Sequence, residues 1–289
     1  MFNIFNGEVF ITGATGFIGR HVVQSLMNRH IKINILCRNI DKAKSLFFNS
    51  KNLKFISYDI NSHENILGLS SNDCLIHCAW SDLADILSVS HTEKQFKSHC
   101  DFLHVALKQG IGKIIVTGSF SEYGLQQGSV DYSTPTSPVT AYGVAKDSLH
   151  KFLRELKNEY DFELIWLRLF HVYAQNNNQR GLFADIERAV MCKQTSFDMS
   201  SGDQILDYSD VETVALSIVK SIFLNDGVYT VCSGHPLPLK DIVKQWLHVN
   251  QYKIALNFGT QDQRAYNSSA IWGGDAPRLH KMARRQNHD

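Results

Sequence analysis

A tyrosine and a lysine stand four residues apart in the segment SPVTAYGVAKDSLHKFL, as Tyr142 and Lys146. The segment has the pattern of a helix, and side chains four residues apart on a helix share one face. A free phenol has a pKa of about 10, whereas a neighbouring ammonium stabilises the phenolate and lowers that pKa toward neutrality. We therefore predict that Tyr142 exchanges a proton with a substrate oxygen.

A serine, Ser119, ends the apolar run KIIVTGS, which precedes this helix in the chain. The run predicts a buried strand, and doubly wound sheets place their sites at the carboxyl ends of strands. Ser119 would then hydrogen-bond the same substrate oxygen as Tyr142. Each feature also has a plain structural explanation, since serines cap strands and helices contain such Tyr/Lys pairs by chance. Their joint occurrence favours a catalytic site.

The segment VFITGATGFIGRHV carries three glycines, each three residues after the last, between a predicted strand and a predicted helix. In such a turn the first glycine permits the bend, the second lets backbone approach a pyrophosphate, and the third lets helix and strand pack closely. The N–H groups at the helix start then bind phosphate. The spacing GxxGxxG differs from the common GxGxxG, and a plain turn is the alternative. The residues predicted to contact a dinucleotide here are Gly13, Thr15, Gly16, Phe17, Ile18 and Gly19.

The second predicted strand ends in ILCR, which places Arg38 beyond the glycine turn. Dinucleotide sites usually carry an acid about 20 residues past the glycines, where it accepts hydrogen bonds from the adenosine ribose. A guanidinium at that place binds a 2′-phosphate instead. Arg38 therefore predicts NADPH rather than NADH, with Arg20 as a second candidate contact and a solvated strand-end arginine as the alternative. Lys146 would hold the nicotinamide ribose.

Strand-like and helix-like segments alternate through the first part of the chain, as in EVFITG followed by GRHVVQSLMNRH and KFISYDI followed by HENILGL. Short apolar strands with helical crossovers indicate a parallel sheet covered on both faces. The predicted fold is α/β, a doubly wound Rossmann-type parallel sheet with a smaller, discontinuous C-terminal substrate lobe. Further helices are predicted over 141–160 and 184–193. The predicted domains are a dinucleotide-binding domain of 1–170, to which 207–234 return, and a substrate lobe of 171–206 and 235–289.

The composition excludes several classes of protein. The chain has 289 residues, is 44% hydrophobic and carries a formal net charge of +1, so it forms a full core and has no bulk attraction to nucleic acid or an anionic membrane. Its six cysteines form no CxxC pair and no zinc-ligand spacing, so no metal is expected. The sequence shows no basic leader with a long apolar run and no window of membrane-spanning length. A cytoplasmic protein with reduced thiols is expected.

Seven motifs spread over nearly the whole chain resemble the extended short-chain dehydrogenase/reductase family of nucleotide-sugar epimerases, dehydratases and reductases. They are TGATGFIG, YDI, IHCAW, TGSFSEYG, YGVAK, LRLFHVYA and SGDQILDYSDVETVA. The resemblance implies that Ser119, Tyr142 and Lys146 form the catalytic set. It also implies a homodimer, paired through the helix before KIIVTGS and the helix of Tyr142. The implied cofactor contacts are Asp59 and Ile60 at the adenine and Cys78, Ala79 and Trp80 along the cofactor.

Departures from the family pattern bear on the reaction. The 4,6-dehydratases of the family have Thr-Asp-Glu where this chain has Ser119, Phe120 and Ser121, and they use those carboxylates to eliminate water. Glu122 lies one position beyond the family's glutamate and would need a shifted loop to take its place. Dehydration is therefore not expected. The resemblance leaves hydride transfer at carbon 4 of a sugar, either as reduction with exchangeable NADPH, which Arg38 favours, or as 4-epimerisation with tightly bound NAD. A dinucleotide-binding sensor without turnover is a third hypothesis.

The substrate implied by the resemblance is a nucleoside diphosphate linked to a 4-keto-6-deoxy sugar, within deoxysugar biosynthesis for lipopolysaccharide or O-antigen. Arg264 matches a family arginine that meets the pyrophosphate, whereas a second usual arginine is Leu206 and a usual asparagine is His171. These two replacements motivate the sensor hypothesis. The base, the sugar and the stereochemistry at carbon 4 stay open. The candidate substrate contacts are Ser119, Ser121, His171, Arg180 and Arg264.

Overall fold

The computed structural model describes residues 5–47, 51–62, 64, 66, 68–175 and 181–274. Its strands are β1 (Val9–Thr12), β2 (Ile33–Cys37), β3 (Leu53–Ser57), β4 (Cys74–His77), β5 (Lys113–Ser119), β6 (Gly128–Val130), β7 (Glu163–Leu169), β8 (His171–Tyr173), β9 (Ser196–Met199), β10 (Ile205–Leu206), β11 (Tyr208–Asp210), β12 (Gly227–Val231), β13 (Leu237–Pro238), β14 (Ala255–Phe258) and β15 (Ala270–Gly273). Its α-helices are α1 (Phe17–Met27), α2 (Ile40–Leu46), α3 (Phe96–Lys108), α4 (Ala141–Leu156), α5 (Leu182–Met191), α6 (Val211–Lys220) and α7 (Leu239–Val249).

Seven parallel strands form the central sheet, in the order β12-β7-β5-β4-β1-β2-β3. Strands β1, β2 and β4 are buried at every residue, as expected where helices cover both faces. One apolar cluster lies under α1 and α6 and a second under α3 and α4. The Rossmann-type fold predicted from the sequence is confirmed. The strand order changes direction between β1 and β4: β2 and β3 follow on the side of β1, and β5, β7 and β12 follow on the side of β4. Sheets of this kind bind ligands at that point, outside the carboxyl ends of the strands.

Smaller sheets and a third apolar cluster lie beside the central sheet. The largest of these sheets has the order β13-β10-β15-β6, and the pairs β11-β8 and β14-β9 complete the set. Strand β12 pairs with β7 in the central sheet. Strand β6 pairs with β15, so the small sheet takes one strand from the segment predicted to belong to the dinucleotide domain. The division of the chain at residue 170 stays a prediction.

One predicted helix is not found among the residues that the structure describes, and another is shorter than predicted. In HENILGL the described residues Glu64, Ile66, Gly68 and Leu69 are not helical. The Ile66 N–H donates to Oε1 of Gln109 at 2.8 Å and its carbonyl accepts from Nε2 at 2.9 Å, so a distant side chain satisfies the backbone in place of a helical turn. Helix α4 ends at Leu156, four residues before its predicted end. None of the helices in the described ranges is long and apolar enough to cross a bilayer.

Candidate active site

The glycine turn crosses directly over the segment that follows β4. Gly13 has φ +72°, and a Cβ atom built there would lie 2.6 Å from the backbone nitrogen of Ala79 and 2.7 Å from the carbonyl carbon of Cys78. A Cβ on Gly19 would lie 2.2 Å from the carbonyl oxygen of Gly13. Side chains at these two positions would therefore force the turn away from the sheet edge. The turn seats α1 at the point where the strand order reverses.

The start of α1 is free to bind an anion. Gly16 is its N-cap, makes no side-chain hydrogen bond to the helix, and is followed by a first turn without acidic residues. The N–H groups of Phe17, Ile18 and Gly19, at the start of the helix, carry partial positive charge and have no intrahelical acceptor. Thr15 lies in the turn just before this helix start. These features fit the pyrophosphate of a dinucleotide.

The Gly13→Ala variant should lose about 2–5 kcal/mol of unfolding free energy, from the left-handed backbone and the collision with Ala79. Gly110 supplies a matched control, because it has φ +85° and nothing within 4 Å of its built Cβ. Gly110→Ala should cost only about 1–2 kcal/mol, the backbone part. Urea unfolding of both variants measures the difference. Equal losses would show that the contact with the β4 segment does not constrain Gly13.

The adenosine end of the predicted cofactor site lies beside β2 and β3. Arg38 directly follows β2, is exposed, and lies next to the turn because Leu36 of β2 pairs with Thr12 of β1. Asp59 follows β3, and its Oδ1 accepts from the backbone N–H and the side-chain amide of Asn61 at 3.0 and 2.7 Å. The backbone hydrogen bond is the main cause that lowers the pKa of Asp59, and Arg38 contributes in the same direction. A guanidinium and a carboxylate therefore share this edge, with Ile60 partly buried beside them.

Ser119 stands at the carboxyl end of β5 with its hydroxyl oriented. Its Oγ accepts from the N–H of Ser121 at 3.1 Å. Since a hydroxyl has one hydrogen, that hydrogen remains to be donated elsewhere. The Ser119 N–H donates to Oε1 of Glu122 at 2.7 Å, which closes a capping box around the short 3-10 turn Phe120–Tyr123.

Glu122 is engaged in the core. Its side chain is fully buried, and Oε2 accepts from Nε of Arg168 at 2.8 Å while Nε1 of Trp166 lies 3.1 Å from both carboxylate oxygens. Burial raises the pKa of Glu122, and Arg168 opposes that shift. The carboxylate left open as a shifted dehydratase acid is therefore committed to an internal ion pair.

Tyr142 and Lys146 lie in the first and second turns of α4, where Oγ1 of Thr140 caps the helix by accepting from the Gly143 N–H at 3.1 Å. The backbone N–H of Tyr142 donates to the carbonyl of Ile86 at 3.0 Å. Nζ of Lys146 lies 5.9 Å from the centroid of the Tyr142 ring. The predicted pair thus shares one helix face near Ser119, since α4 packs against the turn that follows β5.

The Lys146 ammonium is buried and weakly partnered. Its Nζ donates to the carbonyl of Thr117 at 2.9 Å, and 1% of the residue is exposed. Burial lowers the pKa of Lys146 to about 7, and the Glu122 carboxylate acts in the opposite direction. A lysine with such a pKa is charged only in part at neutral pH, so its neighbours decide how well it serves the phenol.

The IHCAW segment, predicted to line the cofactor, also contacts Lys146. The Trp80 indole lies 3.9 Å from Nζ of Lys146 and stacks on the imidazole of His99 at 4.3 Å. Cys78 is a neutral thiol, because burial raises its pKa to about 12. Sequence reasoning missed His91 and His99, which contact this indole, because single histidines in helical segments have no spacing that signals a role. No group of three or more His, Cys, Asp or Glu among the described residues is arranged to hold a metal.

A pocket opens beside Ser119 on the side of the smaller lobe. It begins at the residues just after Ser119 and reaches the cap of α4. Among its described residues, Ser121 is a predicted substrate contact, and none carries a charge. Its lining residues are Ile86, Phe120, Ser121, Gly124, Val139, Thr140, Tyr266, Asn267 and Ser268.

The remaining predicted substrate contacts lie near this pocket or outside the described residues. His171 stacks on Tyr208 at 4.6 Å and contacts the Phe120 ring at 4.3 Å, and burial lowers its pKa to about 4, so it is neutral. Its Nε2 is buried without a hydrogen-bond partner. Arg264 is exposed and its Nη1 donates to the hydroxyl of Tyr266 at 3.0 Å. Arg180 lies outside the described residues.

The parallel sheet, the glycine turn and the Ser/Tyr/Lys arrangement define a Rossmann-type enzyme of the short-chain dehydrogenase/reductase class. The chain belongs to the NAD dependent epimerase/dehydratase family, whose model matches residues 9–226. Members of this family use a nicotinamide dinucleotide.

Individual relatives and structures agree with this membership. The chain is 30% identical over 269 residues to dTDP-6-deoxy-L-talose 4-dehydrogenase (NAD(+)) of Aggregatibacter actinomycetemcomitans, covering 92% of this chain and 99% of that protein. A UDP-glucuronic acid 4-epimerase from Bacillus cereus, solved with NAD, has a TM-score of 0.81 at 18% identity, covering 93% of this chain and 90% of that one. A UDP-N-acetylglucosamine 4-epimerase from Methanobrevibacter ruminantium has a TM-score of 0.78 at 21% identity, covering 94% and 90%. The two structures support the fold.

Proposed function

We propose that the protein reduces the 4-keto group of a nucleoside-diphosphate-linked 6-deoxy sugar with NADPH. The observation that carries the proposal is the placement of Tyr142 and Lys146 on one face of α4, with Ser119 ending the adjoining strand β5. This group stands at the same sheet edge as the glycine turn. A ketone bound between the turn and the pocket would meet all three side chains.

The chain's residues would act in a simple order. The Ser119 hydroxyl and the Tyr142 phenol donate hydrogen bonds to the ketone oxygen and so favour negative charge on it. NADPH supplies the hydride for carbon 4 when it is bound. Tyr142 then gives its proton to the resulting oxyanion, and Lys146 stabilises the phenolate that remains. A proton from solvent restores the phenol.

The pocket beside Ser119 supports a 6-deoxy sugar. The side chains that the structure describes in its lining carry no charge, so a uronic acid carboxylate would lose its hydration there without a partner among them. A methyl group at carbon 6 has no such cost. The relative named as a 4-dehydrogenase of a dTDP-6-deoxy sugar catalyses the same type of step in the oxidative direction. The segments 171–206 and 235–289 are proposed to bind the substrate, and Ser121, His171, Arg180 and Arg264 are its proposed contacts.

A coupled assay tests the proposal directly. The purified protein is mixed with NADPH and, separately, with dTDP-, UDP-, GDP- and CDP-linked 4-keto-6-deoxy sugars. Oxidation of NADPH with one of them is expected, and its loss in Ser119→Ala places that hydroxyl at the ketone. If none of the four supports NADPH oxidation, the reductase proposal is wrong.

The Arg38→Ala variant should lower kcat/KM for NADPH by about 10- to 100-fold, because a charged hydrogen-bonded pair with the 2′-phosphate is lost. The value for NADH should change little, since that cofactor has a hydroxyl at this place. Arg188→Ala is the matched control, since Arg188 lies in α5 and its guanidinium pairs with the Asp185 carboxylate. A parallel fall for both cofactors in Arg38→Ala would contradict the predicted preference for NADPH.

The alternative is a nucleotide-sugar 4-epimerase with resident NAD. The 30% identical relative is named as an NAD(+) enzyme, which supports NAD as the cofactor. Denaturing the purified protein and identifying the released dinucleotide distinguishes the two. NAD recovered in near equimolar amount supports the epimerase.

The homodimer, the cytoplasmic location and the place in lipopolysaccharide or O-antigen biosynthesis stay predictions.

A further inference from the structure

The Trp80 indole fills the space around the lysine of the catalytic pair. The Lys146 Nζ lies 3.9 Å from the centroid of its ring, and the Tyr142 ring meets it edge to face at 5.9 Å and 77°. The imidazole of His99 stacks on the indole with only 4° between the planes. Burial holds the pKa of His99 well below its usual range, so this ring brings no positive charge toward Lys146 at neutral pH.

The face of an indole attracts an ammonium through its negative π density, and the attraction grows when water is excluded. Lys146 needs such a contact. An ammonium has three N–H donors, and the hydrogen bond seen for Nζ is the one to the Thr117 carbonyl. Burial favours the uncharged amine, whereas a π face favours the ammonium. Trp80 therefore opposes the effect of burial where the charge is needed.

The indole is itself held in place by His91. Nε1 of Trp80 is only a donor and lies 3.1 Å from Nδ1 of His91, so Nδ1 is the acceptor. The His91 proton is then on Nε2, which lies 3.0 Å from the carbonyl oxygen of Asp85 and donates to it. His91 is fully buried and begins the π-helical turn His91–Gln95.

The same loop holds Tyr142. Asp85 accepts from His91, and the next residue, Ile86, accepts the Tyr142 N–H through its carbonyl at 3.0 Å. The His91 ring also contacts the Tyr142 ring at 5.5 Å. The loop is anchored by Asp82, whose Oδ2 accepts from the Ser90 hydroxyl at 2.9 Å. Trp80, His91 and this loop thus form one connected support for both members of the pair.

We propose that Trp80 and His91 are positioning residues: the indole face keeps Lys146 charged and close to Tyr142, and His91 fixes the indole through its hydrogen bond. The proposal rests on the proposed role of the Tyr142/Lys146 pair. It adds an aromatic contact and a hydrogen-bonded histidine to the serine, tyrosine and lysine that the sequence indicated.

A titration without substrate tests this. Ultraviolet absorbance of phenolate is followed against pH in the protein and in each variant, and the same curve in a Tyr142→Phe background is subtracted to isolate Tyr142. Trp80→Leu should move the ionisation of Tyr142 to a higher pH, where the proton concentration is about tenfold lower, because the cation beside it is weakened. Trp80→Phe, which keeps an aromatic face, should titrate close to the parent. The titratable groups around the pair are Lys146, His91, His99, His77, Cys78 and Glu122.

Matched variants separate positioning from folding. His91→Phe keeps a ring but loses the acceptor, and should move the titration in the same direction as Trp80→Leu, whereas His91→Asn keeps an acceptor and should move it less. His91→Phe carries the test if Trp80→Leu does not fold. Val89→Ala, on the same loop with a side chain 63% exposed, should leave the curve unchanged. Folded Trp80→Leu and His91→Phe variants that titrate like the parent would overturn the proposal.

Kinetics distinguish this proposal from the proposed function. With a 4-keto-6-deoxy sugar that is turned over, Trp80→Leu should lower kcat by about tenfold and leave KM for the sugar within about twofold. If no such sugar is turned over but the titration shifts as expected, the reductase function is wrong and the positioning role stands. Unchanged kcat in Trp80→Leu beside an active parent would count against the positioning role alone.

Discussion

Replacing Tyr142 by Phe is expected to lower kcat by about 10²- to 10⁴-fold, the range found when a general acid is removed. The ring would keep its contacts with Trp80 and His91, since only the hydroxyl is lost. The oxyanion formed at carbon 4 would then take its proton from water. Stopped-flow measurement of NADPH oxidation gives the rate, and titration of cofactor fluorescence shows whether NADPH binding is kept.

A matched tyrosine provides the control for this result. Tyr132 is 54% exposed, and Tyr132→Phe should have the activity of the parent. Retention of full reductase activity in Tyr142→Phe would remove Tyr142 from the mechanism. A protein with no turnover, whose biological effect survives this substitution, would instead agree with the sensor hypothesis.

The second large effect concerns the buried ion pair between Glu122 and Arg168. Glu122→Ala should lower the free energy of unfolding by about 3–5 kcal/mol, because it leaves a guanidinium buried without its carboxylate. Arg168 is 4% exposed, so water cannot replace the lost partner. The variant also removes the acceptor of the Ser119 N–H, so the serine hydroxyl should lose its orientation. Urea unfolding measures the stability, and the reductase assay measures the activity that is lost when the Ser119 hydroxyl is no longer oriented.

Two companions show which part of Glu122 matters. Glu122→Gln keeps the shape and an acceptor for the Ser119 N–H while it removes the charge, and should recover part of the activity lost in Glu122→Ala. The double variant Glu122→Leu with Arg168→Met removes both charges and should be more stable than Glu122→Ala, since apolar residues often replace a buried pair without loss. A Glu122→Ala protein as stable as the parent would show that the pair does not stabilise the fold.

Glu122 also illustrates a limit of sequence reasoning. By position it stood one residue from a dehydratase acid, and nothing in TGSFSEYG showed whether it pointed to the site or the core. Its partner Arg168 is 46 residues away in the chain and lies on β7. The same holds for His77 and His99, whose ring nitrogens are 2.7 Å apart across 22 residues. Contacts of this kind have no local pattern.

The helix wrongly predicted at HENILGL has a related cause. Its apolar spacing is compatible with one helical face, but the Gln109 side chain at the end of α3 takes both backbone groups of Ile66. Hydrogen bonds to a side chain 43 positions away therefore replace the helical hydrogen bonds that the local pattern predicted. Helix α4, by contrast, begins at Ala141 as predicted, and Thr140 caps it through a contact within one turn.

The sequence by itself determined the alternation of strands and helices, the glycine turn, and the shared face of Tyr142 and Lys146. Each of these depends on residues close in the chain, whose backbone preferences and helical or strand periods are fixed locally. Only the tertiary structure decided that Glu122 is paired in the core, that Trp80 lies against the Lys146 ammonium, and that His91 holds the indole. These depend on which side chains the packed sheet and helices bring together, and the free energy of burying a charge is set by those neighbours.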